Sequence, residues 1–204
     1  MAMSKNYVNQ AEFITSAAQA KGWPPVGPPE VAFVGRSNVG KSSLINRLVN
    51  RKKLVKTSSR PGCTQLINFF SFNSDAFRFI DLPGYGFARV PLAIKATWGK
   101  MIETYLSQRE SLRGVVVILD ARRSLSQDDS ALLDWLKAQD ISMIVVITKA
   151  DKLSGNQLSK NLKNLKQELA PYTDAPLLFS AISGRGVAEL WQALENWLAA
   201  PAPN

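Results

Sequence analysis

Gly35-Arg36-Ser37-Asn38-Val39-Gly40-Lys41-Ser42 fits the pattern G-x-x-x-x-G-K-[ST]. Two glycines let the backbone turn tightly and come close to phosphate oxygens. Successive backbone N–H groups then form a concave donor nest, and the next helix points its positive end at the same place. Lys41 would reach the β- and γ-phosphates, and the Ser42 hydroxyl would hold Mg²⁺. A glycine turn with a chance lysine would satisfy the bare pattern. The flanks argue against that: residues 30–34 read as a short buried strand and residues 43–49 as a helix.

Working outward, residues 51–64 form a basic, turn-rich stretch without periodicity. Basic residues stand at 47, 51, 52, 53, 56 and 60, with no acid among them. Cations suit a helix C-terminus, and they also suit a loop near the nucleotide that touches RNA. Residues 65–72 and 76–81 read as strands, and the short link 73–75 makes them an antiparallel hairpin. A helix is expected at roughly 91–109. Residues 113–120 are a continuous apolar run, as in a strand buried on both faces. Helix 127–138 would bury Leu132, Leu133, Trp135 and Leu136, and residues 142–148 give another central strand. Helix 157–169 carries leucines at 158, 162, 165 and 169. Its Lys160, Lys163 and Lys166 share one exposed flank, which is either a solvated face or an RNA contact. Residues 176–180 form the last strand. Helix 187–198 turns Leu190, Trp191, Leu194 and Leu198 inward.

Strands alternating with helices give an α/β fold of three layers. The sheet is mostly parallel, with about six strands and one antiparallel edge strand, and the site lies at the carboxyl ends of the strands. Residues 30–199 make one domain. Residues 1–29 are an extension in which 11–15 is an edge strand or a helix turn and 23–29 is a proline-rich connector. Residues 200–204 are expected to be a disordered tail.

The 204 residues suit one domain, and 46% hydrophobic with 20% charged residues suits a globular one. No apolar run reaches about 18 residues, so neither a transmembrane helix nor a membrane partner is expected. Residues 1–6 lack the features of a signal peptide. The single cysteine, Cys63, cannot form an internal disulfide. A cytoplasmic, monomeric protein is expected. Lys plus Arg is 25 against 16 for Asp plus Glu, a net of +9. Such a surplus favours polyanionic partners, above all nucleic acid, although a solubilising surface would look similar. No histidine is present, which excludes imidazole catalysis and His–metal sites.

Further motifs narrow the chemistry. Asp81 ends a strand and heads D-x-x-G; its carboxylate can hold Mg²⁺ through water while the Gly84 N–H meets the γ-phosphate. Thr64 lies between the first helix and the second strand, where a hydroxyl can complete the Mg²⁺ shell. Thr148-Lys149-Ala150-Asp151 follows a buried strand. An aspartate there can accept from the N1–H and 2-amino group of guanine. Adenine would leave the carboxylate unpaired, at a cost of roughly 1–3 kcal/mol. Lys149 can lay its stem along the base. Ser180-Ala181 follows the last strand, where a backbone N–H can meet guanine O6.

Together, 35–42, Arg60-Pro61-Gly62-Cys63-Thr64-Gln65, Asp81-Leu82-Pro83-Gly84-Tyr85-Gly86, 148–151 and 180–181 resemble the translation-factor-related GTPases. The chain resembles most the EngB/YihA/YsxC family of bacterial ribosome-biogenesis GTPases, in the TrmE-Era-EngA-EngB-Septin-like class. The resemblance implies a Ras-like G domain that hydrolyses GTP to GDP with Mg²⁺ and acts in assembly of the large ribosomal subunit. Its implied partners are ribosomal RNA and a large-subunit precursor, and it is linked to cell division and septation. By resemblance the nucleotide contacts are Gly35, Arg36, Ser37, Asn38, Val39, Gly40, Lys41, Ser42, Ser43, Gly62, Cys63, Thr64, Gln65, Asp81, Leu82, Pro83, Gly84, Thr148, Lys149, Ala150, Asp151, Ser180, Ala181 and Ile182. The catalytic set is Lys41, Thr64, Gly84 and Tyr85, and the metal set is Ser42, Thr64 and Asp81.

Two positions depart from the general GTPase pattern. Thr148 replaces the usual asparagine, so guanine recognition should rest more on Asp151. Tyr85 stands where many GTPases carry the glutamine that orients attacking water, which implies slow intrinsic hydrolysis. Asn38 resembles the asparagine by which some related GTPases hold K⁺ beside the phosphates; its alternative role is a hydrogen bond within the loop. Two rival functions remain open: a non-catalytic GTP/GDP-gated RNA-binding module, and a membrane- or septum-associated GTPase acting directly in division.

Overall fold

The computed structural model describes residues 7–55, 66–85 and 92–199. Seven strands form one sheet: β1 (Ala11–Ala17), β2 (Glu30–Gly35), β3 (Ile67–Phe72), β4 (Phe77–Asp81), β5 (Leu112–Asp120), β6 (Met143–Thr148) and β7 (Leu177–Leu178). The helices are α1 (Lys41–Leu48), α2 (Leu92–Gln108), α3 (Gln127–Ala138), α4 (Gly155–Leu169) and α5 (Val187–Ala199). The spatial order is β1-β3-β4-β2-β5-β6-β7. Pairings among β4, β2, β5, β6 and β7 are parallel. The α/β architecture with a mostly parallel sheet is therefore as the sequence predicts.

Two details differ from the sequence expectation. The sheet has seven strands because residues 11–15, which the sequence allows as an edge strand or a helix turn, lie within β1 and pair with β3. The antiparallel strand β3 is consequently one place in from the edge, covered by β1. At the other edge β7 has two residues where five were expected. Its ladder with β6 extends through Phe179 N–H to Ile147 O at 2.8 Å, and then the chain turns: Ser180 N–H donates to Arg185 O. The predicted hairpin is present, with Asn73, Ser74 and Asp75 all at positive φ in its turn.

Alternation along the strands sorts side chains between two faces. Ala32, Val34, Val115, Val117, Leu119, Val145 and Ile147 meet Tyr105, Leu133, Leu136, Leu165 and Leu169 from α2, α3 and α4. Val31, Phe33, Val116, Ile118 and Val146 meet Leu44, Ile45, Leu190, Trp191 and Leu194 from α1 and α5. Trp191 also donates its indole N–H to Leu48 O at 3.0 Å, tying α5 to the end of α1. Each such fully buried side chain contributes about 1.5–3 kcal/mol relative to exposure.

Away from the site, at the start of β2, the Glu30 carboxylate is fully buried. It accepts from Tyr105 OH at 2.7 Å and from Arg109 Nε at 2.8 Å, and it pairs with Arg78 at 3.4 Å. Arg109 and Arg78 also donate to the carbonyls of Pro24 and Pro25. Burial and the neighbouring Glu30 charge raise the Tyr105 phenol well above its usual pKa. The proline-rich connector is thus fixed by backbone acceptors that proline keeps. Residues 1–6, 56–65, 86–91 and 200–204, including the expected tail, lie outside the described residues.

Candidate functional site

The parallel register sets the site. Phe33 is level with Asp81, Gly35 with Ile118, and Asp120 with Thr148. The carboxyl ends of β4, β2, β5 and β6 therefore open together. Gly35 leaves β2 so close to β5 that a Cβ would sit 2.7 Å from Ile118 O and 2.9 Å from Val39 Cγ1. Only glycine fits without displacing backbone. Gly40 adopts φ 113°, in the left-handed region that favours glycine, and caps the start of α1.

Lys41 is the first residue of α1, and its side chain is almost wholly buried. Its Nζ forms an ion pair with Asp81 Oδ1. Asn68 Nδ2 donates to the other Asp81 oxygen at 3.2 Å. Ser42 is half-buried and Ser43 exposed at the same helix end. Leu82 and Pro83 are buried, and the next turn docks on the phosphate loop. There Ser37 N–H donates to Tyr85 O at 3.0 Å, Ser37 Oγ lies 3.4 Å from Gly84 O, and Arg36 forms a parallel bridge with Tyr85. The lysine, the D-x-x-G turn and the phosphate loop are thus brought together.

The 148–151 segment joins them from the other side. Thr148 is buried, and its hydroxyl lies 2.8 Å from Val39 O and 2.9 Å from Leu119 O, sharing one proton between two acceptors. The hydroxyl that replaces the usual amide is a strut between the phosphate loop and β5. Lys149 takes φ 61°, and its Nζ donates to Asn38 O and, at 3.0 Å, to Asp120 Oδ2. Burial pushes the Asp120 carboxyl up, but hydrogen bonds from Arg122 and Lys149 outweigh it and bring its pKa to about 2. Asp120 is therefore ionised at neutral pH. Asp151 Oδ1 accepts from Ser180 Oγ at 2.8 Å, while Ser180 Oγ accepts from Ser183 N–H at 3.2 Å. Ala150 is buried, Ala181 half-buried, and Ile182 71% exposed at the rim.

Asn38 stands at φ 63° with its side chain exposed. Among the described residues its side chain makes no hydrogen bond; its carbonyl serves Lys149 instead. Tyr85 turns toward α3. Its hydroxyl donates to Asp129 Oδ1 at 2.8 Å, and burial, followed by the Asp129 charge, holds the phenol well above its usual pKa. Asp129 also closes the capping box with Ser126 at the start of α3. Gly62, Cys63, Thr64 and Gln65 lie outside the described residues.

Three site neighbours were not picked out from sequence: Asn68, Asp120 and Asp129. Each reaches the site through strand register or helix docking. The one local signal was an acid closing the apolar run at Asp120, the counterpart of Asp81 at the end of β4.

The Tyr85 geometry predicts that Tyr85→Phe hydrolyses GTP within about threefold of the parent in single turnover, because the lost hydroxyl serves α3. It should cost stability by about 1 kcal/mol for one partly buried hydrogen bond. A rate drop of about tenfold or more would place the hydroxyl in the chemistry instead. Running the same assay in K⁺ and in Na⁺ examines Asn38, and equal rates remove a K⁺ role for it.

The chain is similar to known GTP-binding proteins. Residues 30–149 match a family described as 50S ribosome-binding GTPase. A protein of Desulforamulus reducens named "Probable GTP-binding protein EngB" is 52% identical over 189 residues, covering 92% of each chain. One of the same name from Geobacter metallireducens is 52% identical over 193 residues, covering 95% of this chain and 94% of its own. In fold, the chain is similar to a crystal structure titled as a probable GTP-binding protein engB (TM-score 0.66, 24% identity, 83% of this chain and 98% of that one). It is equally similar to Era in complex with MgGDPNP and nucleotides 1506–1542 of 16S ribosomal RNA (TM-score 0.66, 21% identity, 88% of this chain and 60% of that one). The chain belongs to the EngB family of GTP-binding proteins and carries its GTPase domain.

Proposed function

We propose that this GTPase is a nucleotide-gated assembly factor for the large ribosomal subunit, needed for normal cell division and septation as the family resemblance implies. The observation that carries the switch is the direct bonding of Thr148 and Lys149 to the phosphate-loop carbonyls of Val39 and Asn38. Recognition of the base and grip on the phosphates are therefore mechanically one unit. Asp151, oriented by Ser180, accepts from guanine N1–H and the 2-amino group. Lys41 leaves Asp81 for the β- and γ-phosphates, and backbone N–H groups of 38–43 cradle them. The Asp81 carboxylate, once released, and the hydroxyls of Ser42 and Thr64 are the oxygens that would hold Mg²⁺. These are hard oxygen donors, few in number, as Mg²⁺ prefers when phosphates and water complete its shell. Bound Mg²⁺ supplies charge neutralisation at the β- and γ-oxygens.

With Tyr85 held by Asp129, no side chain at that position orients the attacking water, and intrinsic hydrolysis is slow. The GTP state is then long-lived enough to be read by a partner. The family description and the net charge of +9 favour a ribosomal, RNA-rich partner. Among the described residues no helix is long and apolar enough to cross a membrane. The test is co-sedimentation with large ribosomal subunits across a salt series, with GDP and with a non-hydrolysable GTP analogue. Tighter binding with the analogue and a steep salt slope are expected. Equal binding in both nucleotide states would sink the gating.

A further inference from the structure

A cavity of about 230 Å³ lies on the outer flank of the phosphate loop. It is bounded by Arg36, Ser37 and Asn38 of the loop and by Asp120, Arg122 and Arg123 where β5 ends. It shares residues 36–39 and Lys149 with the nucleotide contacts, but Lys41, Ser42, Asp151 and Ser180 are not in its wall, and Arg122 and Arg123 face it from outside the nucleotide cradle. Its floor is apolar, with Leu119 and Leu165 on the side of the sheet covered by α2, α3 and α4.

The charges around it do not balance. Four cations face it: Arg36, Arg122, Arg123 and Lys149. Two acids face it, and both are engaged. Asp120 is shared by Arg122 at 2.7 Å and Lys149 at 3.0 Å. Asp129 holds Tyr85 and the α3 cap. Arg36 and Arg123 have no carboxylate partner among the described residues, and Arg123 is exposed. A guanidinium is a planar fork that matches phosphate bidentately. Two of them at one mouth, beside the polar Ser37, Asn38 and Ser124 of the same wall, fit a tetrahedral anion.

We propose that this cavity takes a backbone phosphate of RNA between Arg36 and Arg123. The proposal rests on the ribosomal reading above and names the contact by which it works. A phosphate gripped there joins the phosphate loop to the segment after β5. Arg36 precedes Ser37, whose N–H holds Tyr85 O, and Arg122 shares Asp120 with Lys149, which holds Asn38 O. RNA docking and GTP binding therefore act on the same struts, and linkage makes each alter the affinity of the other by the same factor. The exposed Lys160–Lys163–Lys166 flank of α4 has no such connection to the phosphate loop.

Arg123 lies outside the nucleotide cradle, so Arg123→Ala and Arg123→Glu are the test variants. Binding is measured with purified large ribosomal subunits and with naked 23S ribosomal RNA, each with the GTP analogue and with GDP. Both variants should keep the parent's GTP affinity. Arg123→Ala should bind both probes about five- to tenfold more weakly and lower the salt slope by about one. Arg123→Glu should bind still more weakly. Parent-like binding by both variants overturns the proposal, as does loss confined to a Lys160→Ala/Lys163→Ala/Lys166→Ala variant. Loss on subunits with parent-like binding to naked RNA also overturns it, and assigns the cavity to an acidic protein segment. Should the parent bind naked RNA through Arg123 but ignore subunits, the ribosomal reading falls and the cavity assignment stands. Binding of neither probe by the parent removes both.

Discussion

Lys41→Ala should lower GTP and GDP affinity by about 10²–10³, the worth of one or two charge-assisted hydrogen bonds to phosphate. The expected loss has two sources that can be separated. Among the described residues Lys41 is the one cation paired with Asp81, whose side chain is 2% exposed. Removing it leaves a buried charge with Asn68 as its one side-chain donor among the described residues. Breaking a buried pair from one side costs about 3–5 kcal/mol, so the free protein should also melt earlier. Asp81→Asn removes the opposite partner and behaves differently. It frees Lys41 for the phosphates, so nucleotide binding without Mg²⁺ should be retained or tightened, while the dependence of GTP affinity on Mg²⁺ should flatten. Fluorescent-nucleotide titration with and without EDTA reads both variants, and circular dichroism checks that each is folded. A folded Lys41→Ala protein that binds GTP within about threefold of the parent would refute the phosphate-loop assignment.

The contrast between Lys41 and its neighbours shows how much of this site could be read from the chain. The loop, the D-x-x-G turn and the 148–151 segment are local patterns, and each lies at a strand end because buried parallel strands announce themselves as unbroken apolar runs. What the runs do not carry is register. Asp120 is level with Thr148, and Asn68 with Asp81, only because particular residues pair across the sheet. Their parts in holding Lys149 and Asp81 were therefore invisible. Tyr85 was legible as an unusual residue, but its partner Asp129 lies 44 residues along on α3. β1 was ambiguous because Glu12, Phe13 and Ile14 are all exposed at an edge and show no alternation, with a register shift between Phe13 and Thr15. β7 is shorter than the apolar run suggests because its ladder with β6 ends at the Phe179 N–H, Phe179 is buried in the core under α1 and α5, and Ser180 already turns away to Arg185 O.

Asp151→Asn should exchange guanine for xanthine as the preferred base. Ser180 Oγ accepts from Ser183 N–H, so its own proton is free for Asp151 Oδ1. An asparagine at 151 keeps that bond only by turning its carbonyl oxygen to Ser180, which fixes its amide N–H₂ outward toward the base. Guanine meets that amide with its own 2-amino group, donor against donor. Xanthine carries a carbonyl there and accepts. Loss of one charge-assisted bond and creation of an unpaired donor together are worth on the order of 3–4 kcal/mol, a fall in GTP affinity of about 10²–10³. XTP should gain by a similar factor. The Ser180 bond makes a second result predictable. Ser180→Ala in the Asp151→Asn background lets the amide flip, so discrimination between XTP and GTP should weaken toward parity. Competitive titration of XTP against GTP in the parent and the two variants measures this. An Asp151→Asn protein that remains strictly guanine-specific would mean that another group reads the base edge. Full xanthine preference surviving Ser180→Ala would mean that Ser180 does not orient residue 151. The departure at Thr148 supports the exchange to xanthine, since its hydroxyl is spent on Val39 and Leu119 and leaves the Watson–Crick edge to Asp151.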